Sequence, residues 1–280
     1  VCSSDLTDTP YKSAAMGALM GSNIAYSADG SSLLLNPASI GNVEDGTVLA
    51  STQRIYNQSY LPHSILATVL DLPSGVGKLG LSFESMSVSY QDRTLSGETA
   101  LGLSHAFNLR EDRISSLNMG YTLKYLSIDY GQSAGATGDG SDGIDLGQSQ
   151  TLGLDLGLQA SLEGRHWMGV FVKNINQPQL GKGNLVDLPR TVNIGLAYSP
   201  YDLVWTNFSL HRAVGYDTQY SAGLEYELLP GFVLLSGVHS NPNRLGMGFR
   251  LRVKSLNIDY GLLTHPVFSL THQVSMGINF

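Results

Sequence analysis

Alternation of apolar and polar residues constrains this chain more than any other feature of its sequence. From Thr151 to Leu162, every even position is Leu or Ala, and every odd position is Thr, Gly, Asp, Gln or Ser. The same split recurs at 219–228 and 255–262. Because successive side chains of a strand point to opposite faces, each stretch predicts a strand with one apolar and one polar face.

Segments of this kind continue along the chain, and counting them predicts about fourteen strands, an even number typical of bacterial single-chain barrels. Most span about 10 to 15 residues, enough for a tilted membrane crossing. The fold class is therefore all-β, a transmembrane up-and-down antiparallel β-barrel. The predicted strands are 46–57, 61–72, 77–90, 96–109, 115–130, 148–162, 166–176, 189–199, 202–212, 217–228, 231–240, 243–251, 254–264 and 268–280.

The connections between these segments support the count independently. The two longest, 131–147 and 177–188, are the fifth and seventh links, whereas every even link is short. Long loops on one rim and tight turns on the other are typical of outer-membrane barrels, with the short turns in the periplasm. Localisation in a bacterial outer membrane follows as a prediction.

Composition fits the same class and excludes others. Charged residues make up 14% of the chain, below the usual share of about 25%. No stretch approaches the roughly 18 consecutive apolar residues of a membrane-spanning helix. The net charge of −7 argues against nucleic acid as a partner. Cys2 is the single cysteine, so neither a disulfide framework nor a thiolate metal site is expected.

Residues 1–45 lack the alternation and are predicted to form a hatch inside or beneath the barrel, which comprises 46–280. Fourteen strands enclose a lumen too wide for wall side chains alone to fill. The first eight or so residues fit no pattern and are expected to be leader remnant or non-native. Lipidation of Cys2 is the alternative for this end.

Three motifs of the N-terminal segment resemble a known family: Ala15-Met16-Gly17-Ala18, Ala25-Tyr26-Ser27-Ala28-Asp29 and Leu35-Asn36-Pro37-Ala38. They resemble PorV/PorQ-like outer-membrane proteins, a group within the FadL-type barrels that include long-chain fatty acid transporters. The resemblance extends over about 10–280. It implies a fourteen-stranded barrel with an N-terminal hatch, and it marks the hatch-motif positions Gly17, Asp29, Asn36, Pro37 and Ala38.

Asn36-Pro37-Ala38 has two interpretations. Proline fixes φ and the Asn side chain caps its own turn, so the motif predicts a stiff bend. The bend could gate the hatch, or it could simply anchor the hatch to the first strand.

The polar strand faces supply the predicted lumen-facing charges. They are Glu84, Glu98, Lys124, Asp155, Lys173, Glu225, Arg250 and Asp259. Lys124 and Asp155 lie at nearly opposite register on neighbouring strands, which predicts a cross-strand ion pair. Such charges either brace the wall or select a ligand.

Neither metal nor catalytic chemistry is predicted. Asp139-Gly140-Ser141-Asp142-Gly143-Ile144-Asp145 offers carboxylates but lacks EF-hand spacing, which favours a solvated loop facing lipopolysaccharide over a calcium site. Ser104 and His105 are neighbours on a strand and so point to opposite faces. No zinc or nucleophile-elbow motif occurs, so the protein is not expected to be an enzyme or to need a cofactor.

The last segment ends on Phe280, and its lipid-facing stripe is interrupted only by His272. A terminal aromatic residue on such a stripe resembles the signal read by the barrel-assembly machinery, a predicted partner, and places Phe280 at the periplasmic rim. Aromatic girdles are predicted at both interfaces. Their outer members are Tyr56, Tyr60, Tyr90, Tyr130, Tyr216 and Phe268; the periplasmic members are Phe107, Tyr198, Tyr201, Phe232 and Phe280.

Two functions follow from the resemblance. The first is an outer-membrane channel or binding protein for hydrophobic small molecules, whose partners are membrane lipid, lipopolysaccharide and a hydrophobic ligand. The alternative is an accessory barrel of type IX secretion or surface attachment, which would bind secreted protein cargo.

Overall fold

The computed structural model describes residues 11–280 except 28, 91–92, 134, 139–141 and 182–185. A closed antiparallel barrel of fourteen strands forms the body of the protein, and each strand pairs with its neighbours in sequence. The last strand pairs with the first and closes the barrel, with Asn279 opposite Thr47. The predicted fold class is confirmed. No helix in the described ranges is long and apolar enough to cross a membrane.

The barrel strands are numbered in chain order. They are β1 (Thr47–Arg54), β2 (Pro62–Asp71), β3 (Lys78–Tyr90), β4 (Arg93–Glu111), β5 (Ser115–Asp129), β6 (Gln148–Leu162), β7 (His166–Lys173), β8 (Thr191–Tyr201), β9 (Val204–Ala213), β10 (Gln219–Leu229), β11 (Phe232–His239), β12 (Arg244–Val253), β13 (Leu256–Leu263) and β14 (Thr271–Asn279). Two short α-helices, α1 (Ala14–Ala18) and α2 (Ser32–Leu35), precede them. Turns of 3-10 helix lie at Pro37–Asn42, Ile55–Asn57 and Pro73–Gly75, and Gln179–Leu180 pairs with Val186–Asp187.

Strand alternation sorts the side chains as predicted. In β14, Gln273 and Ser275 are buried in the lumen, whereas Val274 and Met276 are nearly half exposed on the outside. The outer wall is accordingly covered by large apolar side chains. Among them are Leu66, Leu81, Leu101, Leu123, Leu152, Leu158, Leu196, Leu224, Leu234, Leu245 and Met247. An apolar belt of this kind suits contact with lipid tails.

Two predicted features differ in detail. β7 ends at Lys173 rather than 176, because Asn174 adopts a left-handed backbone conformation (φ 56°) that turns the chain out of the wall. Tyr130 was predicted in the outer girdle but packs against the buried cluster that contains Leu126, so it belongs to the lumen side. Tyr56 and Phe268 do meet at the long-loop rim, with ring centroids 4.5 Å apart. The side chain of Tyr90 lies outside the description.

The described parts of the long link, 174–181 and 186–190, fold back over the barrel mouth. Leu180 and Leu188 are buried against inward-facing residues of β3 to β5, including Met86. Beyond the end of β7, the edge of β6 has no strand partner among the described residues on that side, and the Asn176 side chain forms hydrogen bonds with it. Asn176 donates to Leu152 O (2.7 Å) and accepts from Leu154 N (2.9 Å). We call this end of the barrel the long-loop rim and the opposite end the short-turn rim.

Residues 11–43, here called the N-terminal segment, run across the lumen. Helix α1 packs against β12 to β14, and the 3-10 turn Pro37–Asn42 packs against β4 to β6. Ser13 caps α1 by accepting a hydrogen bond from Met16 N (3.3 Å), and Asn36 caps the 3-10 turn by accepting one from Ala38 N (3.1 Å). Side-chain oxygens at these positions satisfy amides that a helix start leaves free.

Inward-facing glycines let the N-terminal segment approach the wall backbone. A β-carbon at any of these positions would come closer than 3.0 Å to atoms of the segment. These residues, the glycine belt, are Gly80, Gly120, Gly157, Gly169, Gly195, Gly223, Gly237, Gly246, Gly248 and Gly261. They occupy β3 and every strand from β5 to β13 except β9. A side chain in a space this small would have to displace the segment or distort the wall.

Candidate functional site

The N-terminal segment separates two cavities in the lumen. The outer cavity, of about 300 Å³, lies between the segment and the long-loop rim and reaches exposed residues of the links 214–218 and 240–243, including Tyr216 and Pro242. The inner cavity, of about 420 Å³, lies toward the short-turn rim and reaches Asp202 and Lys254. Any solute that crosses the lumen has to pass the segment between them.

Apolar side chains form one side of the outer cavity. Met16, Ile24 and Leu35 of the segment pack with Phe171 of β7 in a buried cluster that lines it. The segment therefore contributes the apolar surface of the cavity as well as its boundary.

Paired charges form another side of the outer cavity. Lys12 of the segment pairs with Glu84 of β3, and Lys124 of β5 pairs with Asp155 of β6. The predicted Lys124–Asp155 pair is present, although on the diagonal, because Thr122 is the residue opposite Asp155. Burial lowers the pKa of Lys12, and the Glu84 carboxylate beside it counteracts that effect. Asp155 also accepts a hydrogen bond from Asn174 N (2.8 Å).

Several polar side chains complete the outer cavity. Lys173, Asn174 and Asn193 line it from β7, the following link and β8. His239 of β11 also lines it, and its Nδ1 lies 2.7 Å from Ser221 Oγ, the residue directly opposite on β10. Both members of this pair are buried. Ser221 therefore fixes the orientation of the imidazole that faces the cavity.

A buried ion-pair network fixes the segment at the inner cavity. Asp29 of the segment pairs with Arg250 of β12, which also donates to the Asp259 carboxylate opposite it (2.7 and 3.1 Å). Burial opposes ionisation of Asp29. Arg250 and the hydrogen bonds from Ser31 outweigh burial, so the pKa of Asp29 lies below its ordinary value of 3.8. Glu225 lines the same cavity and accepts a hydrogen bond from Asn207 Nδ2 (3.0 Å).

An aromatic clamp also holds the segment. The Tyr26 ring stacks on Trp205 of β9 at 4.3 Å and lies against Trp167 of β7 at 4.7 Å. Aromatic pairs at these separations stabilise beyond their buried area. Burial raises the pKa of Tyr26, so its hydroxyl remains neutral.

The motif positions Gly17, Asn36, Pro37 and Ala38 are all buried at the wall. A β-carbon on Gly17 would meet Gln273 Oε1 at 2.5 Å and Leu263 Cδ1 at 2.8 Å. Asn36 Nδ2 donates to Leu158 O of β6 (3.2 Å) and to Ile24 O (3.3 Å). The Asn-Pro bend is therefore bonded to the barrel wall. Whether it also gates remains a prediction.

Other predicted positions lie apart from this site. Glu98 is buried on the inner face of β4. Phe280 lies at the short-turn rim, where its backbone N donates to Gly46 O (2.8 Å). Residues 139–141 of the acidic loop are outside the described residues, as is Cys2. Asp142 accepts bonds from Thr137 Oγ1 (2.7 Å) and Ala136 N (3.1 Å). Within the described ranges, no group of three or more His, Cys, Asp or Glu could hold a metal ion.

Sequence reasoning missed the segment's own contributions to the site. Lys12 and Tyr26 lie where no alternation assigns a face, and each finds partners far along the chain. The wall gave a signal that could have been used. On strand after strand the inward positions include glycine rather than a large polar residue, as at Gly157 and Gly195. Glycine at an inward strand position indicates close approach of another backbone.

No family model and no curated protein matches the chain. Solved structures share its fold. The Pseudomonas putida toluene transporter TodX aligns with 96% of this chain and 98% of its own, with a TM-score of 0.67 and 11% identity. A Pseudomonas aeruginosa FadL homologue covers the same shares, with a TM-score of 0.58 and 10% identity. The Acinetobacter baumannii outer membrane protein Omp33 aligns with 84% of this chain and 98% of its own, with a TM-score of 0.51 and 8% identity. Identity this low shows a common fold and not a common ligand.

Proposed function

We propose that this protein is an outer-membrane channel that admits hydrophobic small molecules. The observation that carries the proposal is the divided lumen. A cavity with an apolar floor begins at the long-loop rim, ends on the N-terminal segment and is followed by a second cavity beyond it. The apolar outer wall suits a lipid bilayer. The fold shared with a toluene transporter and a FadL homologue supports the same function.

The proposal includes an orientation. The long links 130–147 and 174–190 lie at one rim. The links at the other rim have two or three residues, or six at 72–77, which supports placing the long-loop rim outside the cell and Phe280 at the periplasmic rim. Solutes would then enter the outer cavity from the cell surface. Lipopolysaccharide at that rim and the barrel-assembly machinery remain predicted partners.

We infer that the N-terminal segment is the hatch of this channel. Its contacts with the glycine belt leave little space between the two cavities, so passage requires the segment to shift. The Lys12–Glu84 and Asp29–Arg250 pairs would then hold the closed position. Their partial burial makes them costly to leave unpaired, which favours return to the closed state.

The experiment is uptake of radiolabelled toluene by intact Gram-negative cells that lack their own hydrophobic channels. Expression of this chain should raise the initial rate. Equal rates with and without it would refute the proposal. A locked variant tests the hatch: Ala14→Cys with Ser275→Cys in a Cys2→Ser background. Ala14 N donates to Ser275 Oγ at 2.8 Å, so the two positions are adjacent. Oxidised, this variant should lose uptake, and a reductant should restore it.

The PorV/PorQ resemblance stays a prediction, and no observation of the structure favours a secretion role over transport. The solved structures of similar fold include transport channels, which agrees with the expectation of a non-enzymatic protein.

A further inference from the structure

Two buried amide oxygens of the outer cavity have no hydrogen-bond donor. Asn193 and Asn174 are 2% and 1% exposed, and the Oδ1 atom of each lacks a partner in the described structure. Their amide nitrogens are engaged: Asn193 Nδ2 donates to Phe171 O (3.3 Å) and Asn174 Nδ2 to Pro189 O (3.1 Å). Both residues line the cavity. Buried acceptors without a donor are rare in native proteins and call for one.

The surrounding charges determine what kind of donor suits these oxygens. Among the described residues, four cationic side chains line the cavity, Lys12, Lys124, Lys173 and Arg244, against the three carboxylates Glu84, Asp155 and Asp217, so the balance of charge disfavours a cationic ligand. The Glu84 and Asp155 carboxylates are already paired with lysines. A carboxylate ligand has no proton to give an amide oxygen. A neutral O–H group satisfies the acceptors without adding charge.

The apolar side chains of the cavity determine what the non-polar part of the ligand can be. Met16, Ile24, Leu35 and Phe171 form a continuous apolar surface, and thioether and aromatic groups pack well against an aromatic ring. Ligand cavities run from about 300 to 1,000 Å³, so about 300 Å³ is at the small end of that range and has room for one substituted ring. Burial raises the pKa of the Tyr11 phenol in the same wall to about 12, despite Arg244 nearby, so that group stays neutral.

We propose that the outer cavity binds neutral hydroxylated monoaromatic molecules in preference to the corresponding hydrocarbons. The ring lies on the apolar surface of the segment and Phe171, and the hydroxyl donates to the amide oxygen of Asn193, whose amide nitrogen is bonded to Phe171 O. This inference deepens the proposed function and depends on it for the route by which the ligand arrives.

The test compares 4-methylphenol with toluene, which differ by one hydroxyl group. Purified protein in lipid nanodiscs is dialysed to equilibrium against each labelled compound, with empty nanodiscs to subtract partition into lipid. We expect toluene to bind about tenfold or more weakly, because it leaves the acceptors buried and unpaired. Equal affinities, or tighter binding of 4-methylbenzoate than of 4-methylphenol, would overturn the inference.

A pair of matched variants localises the effect. Asn193→Leu should weaken binding of 4-methylphenol about tenfold and leave toluene unchanged. Asn207→Leu is the control, because Asn207 is also an inward-facing buried residue with an unpartnered Oδ1 but lies toward the inner cavity, where it bonds Glu225. Heat-dependent gel mobility reports folding of each variant, and Asn193→Ser replaces Asn193→Leu if the latter does not fold. An unchanged preference for 4-methylphenol in the folded Asn193 variant, or a loss of preference with Asn207→Leu, would refute the assignment.

The binding assay needs no transport, so the two proposals can fail separately. Preferential binding of 4-methylphenol without any uptake by cells would reject the channel and keep the site. Toluene uptake without preferential binding of 4-methylphenol would keep the channel and reject the site.

Discussion

Replacing Asp29 by asparagine tests how the N-terminal segment is held in the lumen. Asp29→Asn keeps the side-chain shape and the acceptor for Ser31 N (2.8 Å) but removes the charge that pairs with Arg250. Arg250 retains Asp259, so the loss falls below the roughly 3–5 kcal/mol of a buried charge left alone. One charge-assisted hydrogen bond contributes about 2 kcal/mol. The ratio of bound to released segment should therefore fall by a factor of roughly 30.

Tryptophan emission measures this release directly. Trp167 and Trp205 are the only tryptophans in the sequence, and both contact Tyr26 of the segment. In urea, the emission change of Asp29→Asn should occur at a lower concentration than in the parent protein. Heat-dependent gel mobility, which reports the intact barrel, should keep its midpoint.

Asp45→Asn is the matched control, because Asp45 is an exposed carboxylate that lines the same inner cavity as Asp29. It should leave the emission midpoint within experimental error. Equal shifts for the two variants would show that the Asp29–Arg250 pair does not hold the segment. If the emission change and the gel-mobility change occurred at the same urea concentration, segment and barrel would unfold as a single unit. That result would refute the assumption that the segment leaves the lumen while the barrel stays folded.

Three further predictions concern the wall, the membrane face and pH. Gly157→Ala should weaken segment binding by about 1–3 kcal/mol in the same urea assay, because its β-carbon would overlap Asn36 Oδ1 and lie 3.0 Å from Pro37 Cδ. Gly153→Ala on the same face of β6 has no neighbour nearer than 3.5 Å and should be nearly neutral. Leu158→Arg should destabilise the barrel in lipid by about 2–4 kcal/mol, whereas Leu162→Arg, at the short-turn rim, should cost about 0–1 kcal/mol. Equal losses of stability measured by gel mobility would contradict the membrane depth assigned to these two positions of β6. The pKa of Asp29 is lower in the folded protein, so the ionised carboxylate stabilises the bound segment fully above about pH 3.8. That stabilisation is lost as pH falls through the folded-state pKa. Tryptophan emission should therefore show an acid transition below pH 3.8 that Asp29→Asn lacks.

The barrel could be predicted from sequence because its determinants are local. Alternation assigned Gln273 and Val274 to opposite faces, and the structure confirms both. Strand ends were predicted less well where a single residue breaks the wall. Asn174 ends β7 through a left-handed conformation, and no alternation pattern reports that.

The interior of the barrel could not be predicted in the same way, because its determinants are distant in sequence. Alternation places Gln159 in the lumen. It does not show that Gln159 donates to Ala25 O (2.7 Å) and accepts from Asn42 Nδ2 (2.5 Å), residues more than a hundred positions away. The Asp29–Arg250 pair is of the same kind. Period-two patterns give the direction of a side chain but not the partner it meets.

The glycine belt has an electrical consequence. At this level nine of the fourteen strands present glycine instead of a side chain, so the N-terminal segment fills the part of the lumen beside them. A barrel freed of residues 11–43 would have an open bore, bounded by bare backbone on those nine strands, at the height where the segment lies in the intact protein. In a planar bilayer the intact chain should therefore pass almost no ionic current, whereas a chain whose segment has left the lumen should conduct ions as an open pore.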